Sequence, residues 1–156
     1  MNTELKSIID NMNEILSGKP WYGKSVLVIL KEVDEAIVYK KPNAGYHSVI
    51  EILYHMVTWA DFALHRLKKD QDMEIHAFEA LDWRDTNAEL HTWNNGIAEL
   101  SSVTNKTIEL LKGCPDTILD EKVDFRDYNF RYLLNGLMQH HIYHIGQIAY
   151  LNKILT

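Results

Sequence analysis

The chain is predicted to be all-α, a four-helix bundle whose first helix is broken near Pro20. Apolar residues recur at three-and-four spacing along most of its length, the period of one helix face. Breakers are scarce, with three prolines and seven glycines in 156 residues, which disfavours a loop-rich or all-β fold. That length suits one domain with enough chain to bury a real core. Hydrophobic residues make up 46% and charged residues 24%, the balance of a globular protein. No internal repeat, low-complexity tract or Gly/Ser/Pro linker divides it, so residues 1–156 read as a single domain.

Leu5, Ile8, Ile9, Met12, Ile15 and Leu16 mark the first helix, and Ser17-Gly18-Lys19-Pro20 stops it. Val26, Ile29, Leu30, Val33 and Ile37 give a shorter second segment, expected to pack as a continuation of the first. It ends before Lys40 to Gly45, where Pro42 and Gly45 mark a loop. Long helical periods follow from about His47 to Lys69, about Thr86 to Lys112 and about Phe130 to Leu155. Gly113-Cys114-Pro115 closes the middle one. From Gly113 to Asn129 no clear period is present, and Val123-Asp124-Phe125 reads as briefly extended. Loops of that length are often functional.

Charge and cysteine content narrow the function. A net charge of −6 with no offsetting Lys/Arg cluster would repel a phosphate backbone, so nucleic acid is not expected as a partner. A small neutral or electrophilic molecule fits better. The start, Met1-Asn2-Thr3-Glu4, lacks a basic stretch followed by an apolar run, and the run Val26 to Leu30 is too short to cross a bilayer. Neither export nor a membrane partner is expected. Cys114 is the only cysteine, which excludes an intrachain disulfide, a Cys-rich zinc site and a Cys-x-x-Cys redox motif. A reducing, cytoplasmic setting is the default expectation.

Eight histidines are present. At about 100° per residue, His140 and His144 fall within roughly 20° of the stripe of Leu133, Leu137 and Leu151, pointing both imidazoles into the bundle. Two inward imidazoles four residues apart can close on one metal ion through ring nitrogens. The alternative for such a pair is two core histidines hydrogen-bonded to side chains or water. His55 lies about 150–200° from the main stripe of its helix, Leu53, Val57, Ala60 and Leu64, beside Trp59 and Phe62. A second apolar side holding a histidine points to a pocket or a subunit interface, or else to a solvent-facing ring beside two covering aromatics. His141 sits beside the stripe as a neighbour or interface residue, and His47, His65, His76 and His91 share no common face. Gln147 is placed either to hold a ligand in orientation or to pack. Trp59, Trp83 and Trp93 read as core.

His140-His141-Ile142-Tyr143-His144 lacks the glutamate of His-Glu-x-x-His zinc proteases, and no paired Glu-x-x-His motif, EF-hand or phosphate-binding glycine loop is found. Three neutral imidazoles suit Zn²⁺, Ni²⁺, Co²⁺ or Fe²⁺ and leave positions open for water or substrate. No Asp or Glu base is evident beside the histidines.

The segment Gln139-His140-His141-Ile142-Tyr143-His144-Ile145-Gly146-Gln147-Ile148 closely resembles the closing motif of the DinB/YfiT-like superfamily. Pro20-Trp21-Tyr22-Gly23 and His47 through Trp59 resemble the family's upstream blocks, the latter its first metal-histidine helix. The resemblance implies a four-helix bundle, often dimeric, with one divalent metal held by three histidines matching His55, His140 and His144. It also implies thiol-dependent S-transfer or isomerisation, with a low-molecular-weight thiol as co-substrate, while a metal-activated water would give hydrolysis of a small molecule instead. The family name implies no DNA chemistry, and no thiol-binding motif is found in this chain. The expectation is therefore a metal-dependent enzyme, a homodimer acting on a small-molecule substrate, with a non-catalytic metal-binding stress or interaction protein as the alternative.

Overall fold

Helix starts are written in local side-chain chemistry. Ser48 accepts from the Glu51 backbone N–H while the Glu51 carboxylate accepts from the Ser48 N–H at 2.7 Å, a reciprocal cap that opens the third helix. Thr92 and Asn129 accept from the N–H groups of Asn95 and Tyr132 and open the last two long helices in the same way. The computed structural model describes residues 3–70 and 74–156, so Met1 and Asn2 of the amino-terminal reading lie outside it. Its helices are α1 (Thr3–Ser17), α2 (Val26–Lys31), α3 (Val49–Leu67), α4 (Ile75–Ala80), α5 (Trp93–Lys112) and α6 (Phe130–Leu155). Short 3-10 turns span Glu35–Ile37 and Asp116–Asp120. Among the described residues the only β pairing is an isolated bridge between Lys122 and Asn129, and no helix is long and apolar enough to cross a membrane.

The four long helices make the bundle, with α3 as its centre. α3 is buried around nearly its whole circumference and packs on both α5 and α6, while α1 lies against α5 and α6, and α2 against α6 and α1. Gly96 permits a close approach of α5 to α3, because a Cβ there would meet Leu53 Cδ2 at 2.7 Å. Leu5, Leu30, Leu53, Met56, Leu100 and Leu134 are wholly buried in the shared core. Each such side chain contributes about 1.5–3 kcal/mol by leaving water.

The expected boundaries shift in three places. α5 starts at Trp93, not Thr86, because residues 87–91 satisfy one another: the Asn87 N–H donates to His91 Nδ1 at 3.0 Å and the Glu89 N–H to Asn87 Oδ1 at 2.7 Å. α2 stops at Lys31, and Asp34 caps a separate turn by accepting from the Ala36 N–H. The stretch from Val123 to Phe125 turns instead of extending, with Phe125 at φ 64° and the Val123 N–H donating to the Tyr128 carbonyl at 2.9 Å. Ile118, Leu119 and Val123 are buried in the core, so the segment between α5 and α6 closes the bundle's end. α4, absent from the sequence reading, is anchored by Phe78, which packs edge-to-face on Phe62 at 5.4 Å.

Candidate metal centre

α3 and α6 pack side by side, and their contact brings His55 from the middle of α3 against His140 and His144, one turn apart on α6. The Nε2 atom of His55 lies 2.8 Å from that of His140 and 3.0 Å from that of His144. One ring nitrogen from each of the three lies within 4.8 Å of the others. His55 and His144 are buried and His140 is half-buried. The cluster could hold a metal ion.

Neighbours fix two of the three rings. His55 Nδ1 is 2.6 Å from Asp82 Oδ1, a charge contact outside hydrogen-bond geometry, and the same oxygen accepts from Trp59 Nε1 at 2.7 Å. His144 Nδ1 donates to Gln147 Oε1 at 2.6 Å. Trp83 stacks on His55 at 3.9 Å, and its other face is covered by His47 at 3.7 Å. A neutral imidazole carries one N–H. With that proton on Nδ1 of both His55 and His144, their Nε2 lone pairs face each other at 3.0 Å with no proton between them. Such an arrangement is repulsive unless a cation lies among the lone pairs, which is the arrangement of a metal site with acceptors behind its ligands. The donor set fits a divalent transition ion.

Burial keeps these rings neutral. It pushes His140 down to about 2, with the three neighbouring histidines adding to the effect. His144 falls to about 4 for the same first reason, opposed by its hydrogen bond to Gln147. His55 is lowered by burial and drawn partly back by the Asp82 carboxylate. Neutral imidazole is the form that ligates metals, so at neutral pH none of the three has to lose a proton first.

Two clefts open beside the cluster. A cleft of about 530 Å³ is lined by His55 and His144 together with Tyr46, His47, Trp83, Tyr143 and Tyr150. A smaller one of about 170 Å³ is lined by His140 with Trp59, Phe62, Tyr128, Tyr132 and Leu137. The second apolar side of α3 is therefore a pocket wall. Trp93 is core, as expected, but Trp83 is a half-exposed platform over the cluster, held outside the core by the two imidazoles that sandwich it. Asp82 was missed by the sequence reading, because it reaches His55 from the aperiodic segment after α4; the only signal was its place beside Trp83. Gln147 orients a ring instead of merely packing. His141 is not at the cluster's edge: it lies 4% exposed in the main core stripe of α6, with neither ring nitrogen hydrogen-bonded among the described residues. His65 and His76 contact acidic residues of their own helices and His91 holds its own turn, all apart from the cluster.

A helical bundle gathering three neutral imidazoles between two clefts defines a class of metal-competent four-helix proteins. The chain belongs to the DinB superfamily, which it matches over residues 24–148. The matched stretch contains His55, His140, His144, Asp82 and Gln147, whereas Pro20 to Gly23 precede it. No curated protein and no solved structure matches the chain.

Proposed function

We propose that the chain is a metal-dependent enzyme in which His55, His140 and His144 hold one divalent transition-metal ion, and that its reaction is thiol-dependent S-transfer or hydrolysis of a small molecule. The observation that carries this reading is the 3.0 Å approach of His55 Nε2 to His144 Nε2, with Asp82 and Gln147 standing behind the two rings. An ion bound there supplies Lewis acidity, which lowers the pKa of a water or thiol brought to it. The protein's own part is to orient and to exclude. Asp82 and Gln147 fix ring orientation, and Trp83 shields the His55 face from water. Tyr46, Tyr143, Tyr150 and Ile154 give the large cleft a mostly apolar lining with no Lys, Arg, Asp or Glu among the described residues, which favours an uncharged ligand.

One observation favours the other reading, a metal-binding protein without turnover. Asp82, the carboxylate nearest the cluster among the described residues, is engaged by both His55 and Trp59, so it is not free to act as a base. Metal-loaded protein offered a panel of electrophiles with several low-molecular-weight thiols separates the two. Turnover lost on chelation and restored by the ion supports the enzyme, and full occupancy without turnover supports the alternative. A homodimer fits the same reading, since Ile142, Tyr143, Tyr150 and Ile154 leave apolar surface exposed on α6. Sedimentation at micromolar concentration would show a single dimeric species, and a monomer would remove that part.

A further inference from the structure

The two clefts share no lining residue, yet both end on the histidine cluster: His55 and His144 face the large one and His140 faces the small one. We propose that the cluster is approached from two sides and that the small cleft beside His140 is a subsite for a single-ring apolar group of a substrate. The occupant's chemistry follows from the walls. Trp59 and Phe62 meet edge to face at 5.6 Å, and Tyr128 and Tyr132 lie with ring centroids 5.0 Å apart. Leu133 and Leu137 complete an apolar lining that contains no Lys, Arg, Asp or Glu among the described residues. Ring-lined walls favour another ring through offset or edge contacts. At about 170 Å³ the cleft is smaller than whole-ligand sites of about 300–1,000 Å³. It is close to the apolar cavity of about 150 Å³ that takes benzene in another protein.

Gly136 keeps this space open. It lies within α6, one turn before His140, on the wall of the small cleft, and a Cβ built on it meets nothing within 4 Å. Its φ is not positive, so the backbone does not call for glycine, and glycine inside a helix is less stable than alanine. What the missing side chain provides is volume beside His140. A site with two mouths suits a reaction that joins two molecules, one reaching the cluster from each side. The inference rests on the proposed metal site for what the bound group would face, but occupancy of the cleft does not depend on the ion.

Each cleft carries one tryptophan as a reporter, Trp59 in the small and Trp83 in the large. Protein with ¹⁵N-labelled tryptophan, titrated with fluorobenzene to millimolar concentration, would show a saturable shift of the Trp59 indole signal. Gly136→Leu, which fills the cleft, would weaken that response about tenfold or more. Gly136→Ala, which preserves the helix, would weaken it less and serves if the leucine variant does not fold. Ile154→Phe, which crowds the large cleft, would leave it unchanged. The proposal is overturned if Trp59 does not respond, if only Trp83 responds, or if the response in the folded Gly136 variants is as strong as in the wild type. Metal content measured on the same samples keeps the two readings apart: a Trp59 response in protein that takes up no metal would defeat the metal site and leave the subsite standing.

Discussion

His140 and His141 are neighbours on α6, and the helix sends them to opposite fates. His141 lies in the stripe of Phe130, Leu134, Met138, Ile145 and Ile148, inside the core and, among the described residues, without a hydrogen-bond partner for either nitrogen. His140 lies on the adjoining edge with His144, where α3 delivers a third ring and where acceptors stand behind two of the three. The more deeply buried histidine is thus the one without the makings of a site. Burial depresses both rings, but only convergence of lone pairs, enforced from behind, creates a place for a cation.

The sharpest break in that comparison is removal of an edge ring. His140→Ala or His144→Ala should take the purified, tag-free protein from close to one ion per chain to nearly none by elemental analysis, with helix content by circular dichroism retained. An intermediate effect is expected behind the ligands. Asp82→Asn keeps the shape but replaces a pure acceptor with an amide that can donate, so His55 is no longer held with its proton on Nδ1. Metal affinity should fall roughly 10–100-fold, measured by competition with a chelating dye.

The core member of the pair should respond in stability instead. The folded protein keeps His141 neutral down to about 4, whereas the unfolded chain binds a proton below about 6.5. Its contribution is therefore absent above about pH 6.5 and removes stability as pH falls from there, on the order of 3 kcal/mol by pH 4. His141→Leu replaces an unpartnered imidazole with an apolar group. It should leave metal content unchanged and make stability in urea fall less steeply between pH 7 and pH 5 than in the wild type. Equal slopes would mean that His141 has partners in solution.

Periodicity carried most of the fold and part of the site. The long helices were readable because each has an apolar face long enough to set a phase, and α6 was placed from Phe130 to Leu155 as observed. His140 and His144 could be paired because both lie on one helix, and His55 stood out because a histidine on a second apolar side of α3 calls for an explanation. Asp82 and Trp83 belong to a stretch with no period, whose position is set by the packing of Phe78 and by their own contacts with α3, and no local pattern encodes that. The late start of α5 has a similar origin, since the turn of Asn87 and His91 competes successfully with helix. His141 was misplaced because the phase was set on Leu133 and Leu151, which are only half-buried, instead of on the deeper stripe beside them.

The central claim is that the ligands are chosen by convergence across α3 and α6. Calorimetric titration of the apo protein with Zn²⁺ and Ni²⁺, run side by side with His55→Ala and His141→Leu, tests it most directly. The account predicts one site per chain in the wild type, the same affinity in His141→Leu, and strongly weakened binding in a still-helical His55→Ala. Unchanged affinity in His55→Ala, or loss of the site in His141→Leu, would contradict it.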